Sequence, residues 1–171
     1  MRTAYHSTID KESPILFCTE MVQAILTGNK TMTRRVVKNS DKFSYGQVGD
    51  GLWVRETWMH NAYPDGDYQE ASAFYYRADF GENPDYTEWG DRRYWLPSIH
   101  MPRCACRLLL NILAIKQEYL LDISEEDCRK EGITGGYPKQ QFFKLWDSIN
   151  GNGSHQLNPL VWVIEFKKVE L

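Results

Sequence analysis

The sequence predicts an α+β fold, a small mixed or antiparallel β-barrel with helices at its rim and an inserted aromatic, acidic loop region. Two observations carry this. The periodic segments run strand, helix, strand, several strands, two helices, strand, without the regular βα alternation of a doubly wound sheet. Between them, residues 60–95 are dense in Gly, Pro, Asp and Asn with many aromatics, the mark of a decorated loop region. A length of 171 residues, 42% of them hydrophobic and 25% charged, suits a single domain over 1–171 with this insertion at about 60–95.

The elements follow in order. "SPILFCTEMVQAILTG" opens with a short apolar run suited to a strand. Thr19 is then expected to cap a helix whose Met21, Val22, Ile25 and Leu26 recur at helical spacing. Gly28, just past the last periodic residue, suits the left-handed conformation that closes a helix, so residues 30–37 should leave as a strand. In "VGDGLWVRETW" a turn signal precedes strict alternation, with Leu52, Val54 and Glu56 on one face and Trp53, Arg55 and Thr57 on the other. "ASAFYYRAD" reads as another strand, and "CRLLLNILAIKQEYLLDI" as a long extended segment. "SEEDCRKEG" has Ser124 as N-cap, acidic residues in its first turn and Gly132 after its end. A second helix opens with Pro138 and carries the apolar stripe Phe142, Leu145, Trp146 and Ile149, and "PLVWVIEFKKVEL" closes as a strand.

The formal charge of −3 and pI near 5.8 argue against wholesale coating of nucleic acid. The charge is uneven: residues 60–95 hold eight acidic and three basic residues, leaving a mildly basic remainder that allows a local basic patch. Four irregularly spaced cysteines do not form a secreted disulfide framework, and no signal-peptide pattern opens the chain, so a cytoplasmic location is expected. The longest apolar runs fall short of the roughly 20 residues a membrane span needs, so no membrane association is expected. His100, Cys104 and Cys106 lack a second ligand cluster, and neither a metal nor a cofactor is expected.

"GNKTMTRR", residues 28–35, packs Lys30, Thr33, Arg34 and Arg35 into the turn and first residues of a strand. Three readings stand: a solvated strand edge, a phosphate or nucleic-acid contact, or a catalytic pair. A threonine hydroxyl becomes nucleophilic when a base removes its proton, and a lysine serves as that base when burial or neighbouring cations lower its pKa. Strict alternation places Lys30 and Thr33 on opposite faces, so the pair needs a late strand start or a bulge. Glu56 shares the Leu52/Val54 face, where an inward carboxylate needs a cation such as Lys30 or Arg35. Arg55, Arg103 and Arg107 extend the basic surface, and His100 can act as an acid, a base or a base-stacking residue. The insertion aromatics, among them Tyr63, Tyr75, Tyr76, Tyr86, Trp89 and Trp95, serve either to roof a core or to stack a base.

Gly28, Lys30, Thr33 and Arg35 form G-x-K-x-x-T-x-R directly after a helix that follows an N-terminal strand. With "GDGLWVRETW", "ISEEDCRKEGI" and the terminal "VWVIEF", this resembles the ASCH domain family, whose fold is PUA-like. The segment around His100 resembles longer, phage-associated members. The resemblance implies a bacterial or phage source and RNA or modified-nucleoside recognition. In one compact bacterial branch it implies hydrolysis of the acetyl amide of N4-acetylcytidine by a lysine, a threonine and a glutamate. Carried onto this chain, the resemblance assigns those roles to Lys30, Thr33 and Glu131, with Arg34, Arg35, Arg55, Glu56, His100 and Arg103 as candidate binding residues. Many family members carry glutamate where this chain has Thr33 and are read as RNA binders. The expected function is hydrolysis of an acylated or otherwise modified pyrimidine nucleoside. The alternatives are a non-catalytic RNA or modified-nucleic-acid binding module, and a ribonuclease in which His100 acts.

Overall fold

A computed structural model describes residues 9–38, 43–61, 69, 73–81 and 94–169. In chain order the regular elements are β1 (Glu12–Leu16), α1 (Thr19–Leu26), β2 (Met32–Val36), β3 (Gly51–Arg55), β4 (Trp58–His60), β5 (Phe74–Tyr76), α2 (Arg77–Phe80), β6 (Leu109–Tyr119), α3 (Glu125–Lys130), α4 (Pro138–Asn150) and β7 (Leu160–Val169). Five strands form one mixed sheet in the order β1-β3-β6-β7-β2, with β1 parallel to β3 and the other pairs antiparallel. β4 and β5 pair separately.

This is the α+β architecture read from the sequence, but among the described residues the ladder does not close into a barrel. Among the described residues β1 and β2 are its two edges. What spans the seam is a side chain: Arg35 Nη2 donates to the Leu16 carbonyl at 2.6 Å.

Burial explains the interior position of β7. Its Ile164 and Phe166 pack with Ile15, Leu52, Val54 and the α1 residues Val22 and Ile25 on one face. Its Val161 and Val163 pack with Met32, Ile123, Phe142 and Trp146 on the other, so the strand is apolar on both sides. A bulge in β6 between Ile112 and Ala114 leaves Leu113 without a ladder partner and about half exposed. The alternation of β3 is as read, with Leu52, Val54 and Glu56 buried and Trp53, Arg55 and Thr57 only partly so.

The helix ends follow local chemistry. Ser124 caps α3 by accepting from the Asp127 N–H at 3.0 Å. Pro138 occupies the first turn of α4. Gly28 closes α1 with φ +78°. At the start of α1, Cys18 rather than Thr19 occupies the cap, without a side-chain cap bond, because the first helical bond already runs from Val22 N–H to the Cys18 carbonyl. Of the insertion at about 60–95, β5 and α2 are described, whereas Tyr63, Tyr68, Tyr86 and Trp89 lie outside the described residues.

Candidate functional site

A cleft of about 690 Å³ lies at the seam between β1 and β2. The β1 end lines it with Phe17 and Cys18, β2 with Thr33 and Arg35, and α4 with Phe142 and Trp146. The motif strand β2, an edge of the ladder, thus forms one wall of the cleft.

Lys30 and Glu131 meet beside this cleft although 101 residues separate them. The turn after Gly28 and the one-residue exit from α3 lay their backbones side by side as an isolated antiparallel bridge. Gly132 permits the approach: it has φ +98°, and a Cβ there would lie 3.1 Å from the Ala24 Cβ and 3.4 Å from the Lys30 Cβ. Lys30 is 1% exposed, and its ammonium donates to Glu131 Oε2 at 2.7 Å, the Met32 carbonyl at 2.8 Å and the Glu131 carbonyl at 2.9 Å. All three protons are thus engaged. Burial holds the Lys30 pKa below its ordinary 10.5, the Glu131 carboxylate pulling the other way.

Arg34 fixes the far side of Glu131. Its fully buried guanidinium reaches Glu131 Oε1 at 3.1 Å, Asp127 at 2.7 Å and Glu118 at 2.6 Å. Burial alone would push its pKa down, and the Glu131 and Glu118 carboxylates outweigh it, leaving the pKa raised. Arg34 is therefore a clamp between β2, β6 and α3, not the free phosphate ligand its sequence position suggests.

Thr33 faces away from Arg34 by strand alternation. It is 2% exposed, pairs with Ile164 in the ladder and lines the cleft. β2 begins at Met32, two residues after Lys30, so alternation does not extend back to the lysine, and the Lys30 ammonium lies 5.7 Å from the Phe17 ring centroid. The Arg35 guanidinium approaches the same ring at 5.1 Å. Lys30, Thr33, Arg35 and Glu131 thus converge on one region, yet no hydrogen bond joins Thr33 to Lys30 among the described residues.

The remaining candidates lie elsewhere. Glu56 is buried as read, but its partner is Arg107, held bidentately at 2.9 and 3.0 Å, rather than Lys30 or Arg35. Burial pushes its carboxyl pKa up and Arg107 opposes this. Arg107 also binds Asp79 and covers the Tyr76 ring at 4.0 Å, so this cluster anchors β5 and α2. Arg55 donates to the Met101 and Ile99 carbonyls and stacks on Trp53. Arg103 pairs with Glu12 at the surface, and His100 sits exposed on a single turn, residues 98–100; none of these lines the cleft. Among the described residues no three His, Cys, Asp or Glu side chains gather as a metal site.

The sequence reading set Trp146 on the apolar stripe of α4, where it does pack in a core cluster, and missed that it also lines the cleft. The signal was the width of the α4 stripe, which reaches Leu145 and the half-exposed Ile149, both at the cleft, and so exceeds what a core-facing helix needs.

The sequence matches no protein-family model and no curated protein. Among solved structures, an ASCH domain from Lactobacillus crispatus JV V101 superposes with a TM-score of 0.53 at 13% identity, covering 92% of this chain and 79% of that one. A DUF984 protein from Enterococcus faecalis V583 gives a TM-score of 0.49 at 10% identity, covering 93% of this chain and 80% of that one. With the mixed sheet and its flanking helices, the first of these likenesses identifies the architecture: the chain has an ASCH-like, PUA-like α+β fold.

Proposed function

We propose that this chain hydrolyses the acyl amide of a modified pyrimidine nucleoside such as N4-acetylcytidine. Thr33 is the nucleophile, Lys30 the proton acceptor and Glu131 the carboxylate that holds the lysine. The observation that supports this best is the buried Lys30–Glu131 pair at 2.7 Å beside a cleft that both Thr33 and Glu131 line. As Thr33 Oγ1 attacks the acyl carbon its proton passes to Lys30. The tetrahedral oxyanion, met by Arg35 or a backbone N–H, then collapses with cleavage of the C–N bond, and Lys30 returns the proton to the departing amine. Water hydrolyses the threonyl ester in a second, equivalent step. A neutral lysine keeps two N–H donors and gains a lone pair, so deprotonation frees one of its three bonds and supplies the acceptor Thr33 needs. Ligand entry must bring the two side chains into contact, as commonly happens when catalytic hydrogen bonds tighten in the complex.

The test is incubation with N4-acetylcytidine and measurement of cytidine release. Turnover is expected, falling by about 100-fold or more on Lys30→Ala or Thr33→Ala. A second reading, a non-catalytic RNA or modified-nucleic-acid binding module using the same cleft, is favoured by one observation: the Lys30 protons are already satisfied by protein acceptors. Absence of turnover together with RNA binding that weakens steeply with salt would decide for it. Under either reading the two core clusters, which share β7, are proposed to form one domain.

A further inference from the structure

Building on the hydrolase reading above, we propose that Phe17 is a positioning residue for that chemistry: Lys30 and Arg35 share its ring, which stabilises the ammonium that Lys30 becomes on taking the proton of Thr33. The Lys30 ammonium stands over this ring at 5.7 Å from its centroid and the Arg35 guanidinium at 5.1 Å. Both lie within the roughly 6 Å at which a ring quadrupole attracts a cation. The ladder agrees with this convergence. Thr33 and Arg35 alternate onto the sheet face that carries Ile164 and Trp162, and Ile164 packs in the same core cluster as Phe17.

The ring is held in place. Phe17 is 3% exposed, its N–H donates to the Arg55 carbonyl at 3.2 Å, and its ring tilts on Phe166 with centroids 6.2 Å apart. Leu16, the residue before it, supplies the carbonyl that receives Arg35 Nη2, so two successive residues hold one guanidinium. Packing alone asks only for an apolar side chain of about this size. What an aromatic ring adds is a negative face, in a place where two like charges gather. In the proposed reaction Arg35 keeps its charge while Lys30 changes. The Thr33 O–H bond breaks, an N–H bond forms on Lys30, and positive charge appears where the ring already lies, so the attraction is stronger in the transition state than before it. The other charged or titratable groups facing Lys30 are Glu131 at the end of α3 and Cys18 before α1, which favour the ammonium, and Arg35 on β2, which opposes it.

The measurement is a nuclear magnetic resonance titration of the Lys30 side chain in protein labelled at lysine Cε, the signal assigned by its loss in Lys30→Arg. Phe17 is replaced in turn by monofluoro-, difluoro- and trifluorophenylalanine, which drain the ring face and leave its shape nearly unchanged. The acid dissociation constant of Lys30 should rise stepwise, by about three- to fivefold at trifluorophenylalanine, and the rising limb of kcat/KM for N4-acetylcytidine should move to lower pH by the same factor. Phe17→Leu, apolar but without a ring, should act in the same direction, and Arg35→Gln, which removes the neighbouring cation, in the opposite one. A dissociation constant that stays within about 1.5-fold through the fluorinated series, in proteins that melt normally, overturns the proposal. So does a rise that a folded Phe17→Leu protein fails to share. If Phe17→Leu fails to fold, the fluorinated series decides by the same criterion. A stepwise rise without turnover by the unsubstituted protein sinks the hydrolase reading alone, and turnover with an unmoved dissociation constant sinks this inference alone.

Discussion

One ammonium and one guanidinium share the Glu131 carboxylate, and that division of labour sets what each residue does. Glu131 raises the Lys30 pKa while burial lowers it more, so Lys30 loses its proton below pH 10.5. The rising limb of kcat/KM against pH should therefore lie below 10.5. Glu131→Gln should move it further down, since the influence removed is the one that favours the charged lysine; a limb that moves up, or not at all, would show that Lys30 is not the titrating base. Arg34 makes a different prediction. Arg34→Met leaves Glu118, Asp127 and Glu131 without their common cation and should cost about 3–5 kcal/mol in denaturant unfolding. The Lys30/Thr33/Arg35 set was legible because it is local. The partners of Arg34 and Glu56 were not, because Glu118 lies 84 residues from Arg34, and Arg107 lies 51 from Glu56, with no spacing rule to join them.

At the scale of elements, the ends of α1 and α3 bring the pair together. Ser124 starts α3, so Ser124→Ala should lower stability by about 1 kcal/mol without altering the cleft. Gly132 ends the approach, and Gly132→Ala faces both a left-handed φ and the Lys30 and Ala24 side chains. It should lower activity by displacing Glu131 as well as lowering the melting temperature, whereas Gly28→Ala meets nothing within 4 Å and should affect stability more than activity. Gly28, Ser124 and Pro138 could be read from sequence because caps and stops depend on neighbouring residues alone. That β1 and β2 stay apart could not, because pairing between strands is a property of the whole sheet.

Across the whole molecule, acid should loosen the segment between α4 and β7 early or late according to Asp147. Its carboxylate is partly desolvated, yet accepts from the His155 and Gly153 N–H groups, the His155 ring and the Ser154 hydroxyl, and these hold its pKa down to about 2. A depressed carboxyl pKa contributes stability above the ordinary 3.8 and loses it as pH falls through about 2. Asp147→Asn should therefore flatten the fall in melting temperature between pH 4 and about 2; an unaltered fall would show that other carboxylates govern it. Among the described residues no helix is long and apolar enough to cross a membrane. The seam has a mechanical meaning for such a molecule. A closed barrel admits a guest through its wall only by tearing backbone ladder, but here the edge strands β1 and β2 are latched by the Arg35 side chain at the Leu16 carbonyl. The latch and the proposed oxyanion donor are one guanidinium, so the residue that would steady the reaction also holds the seam shut.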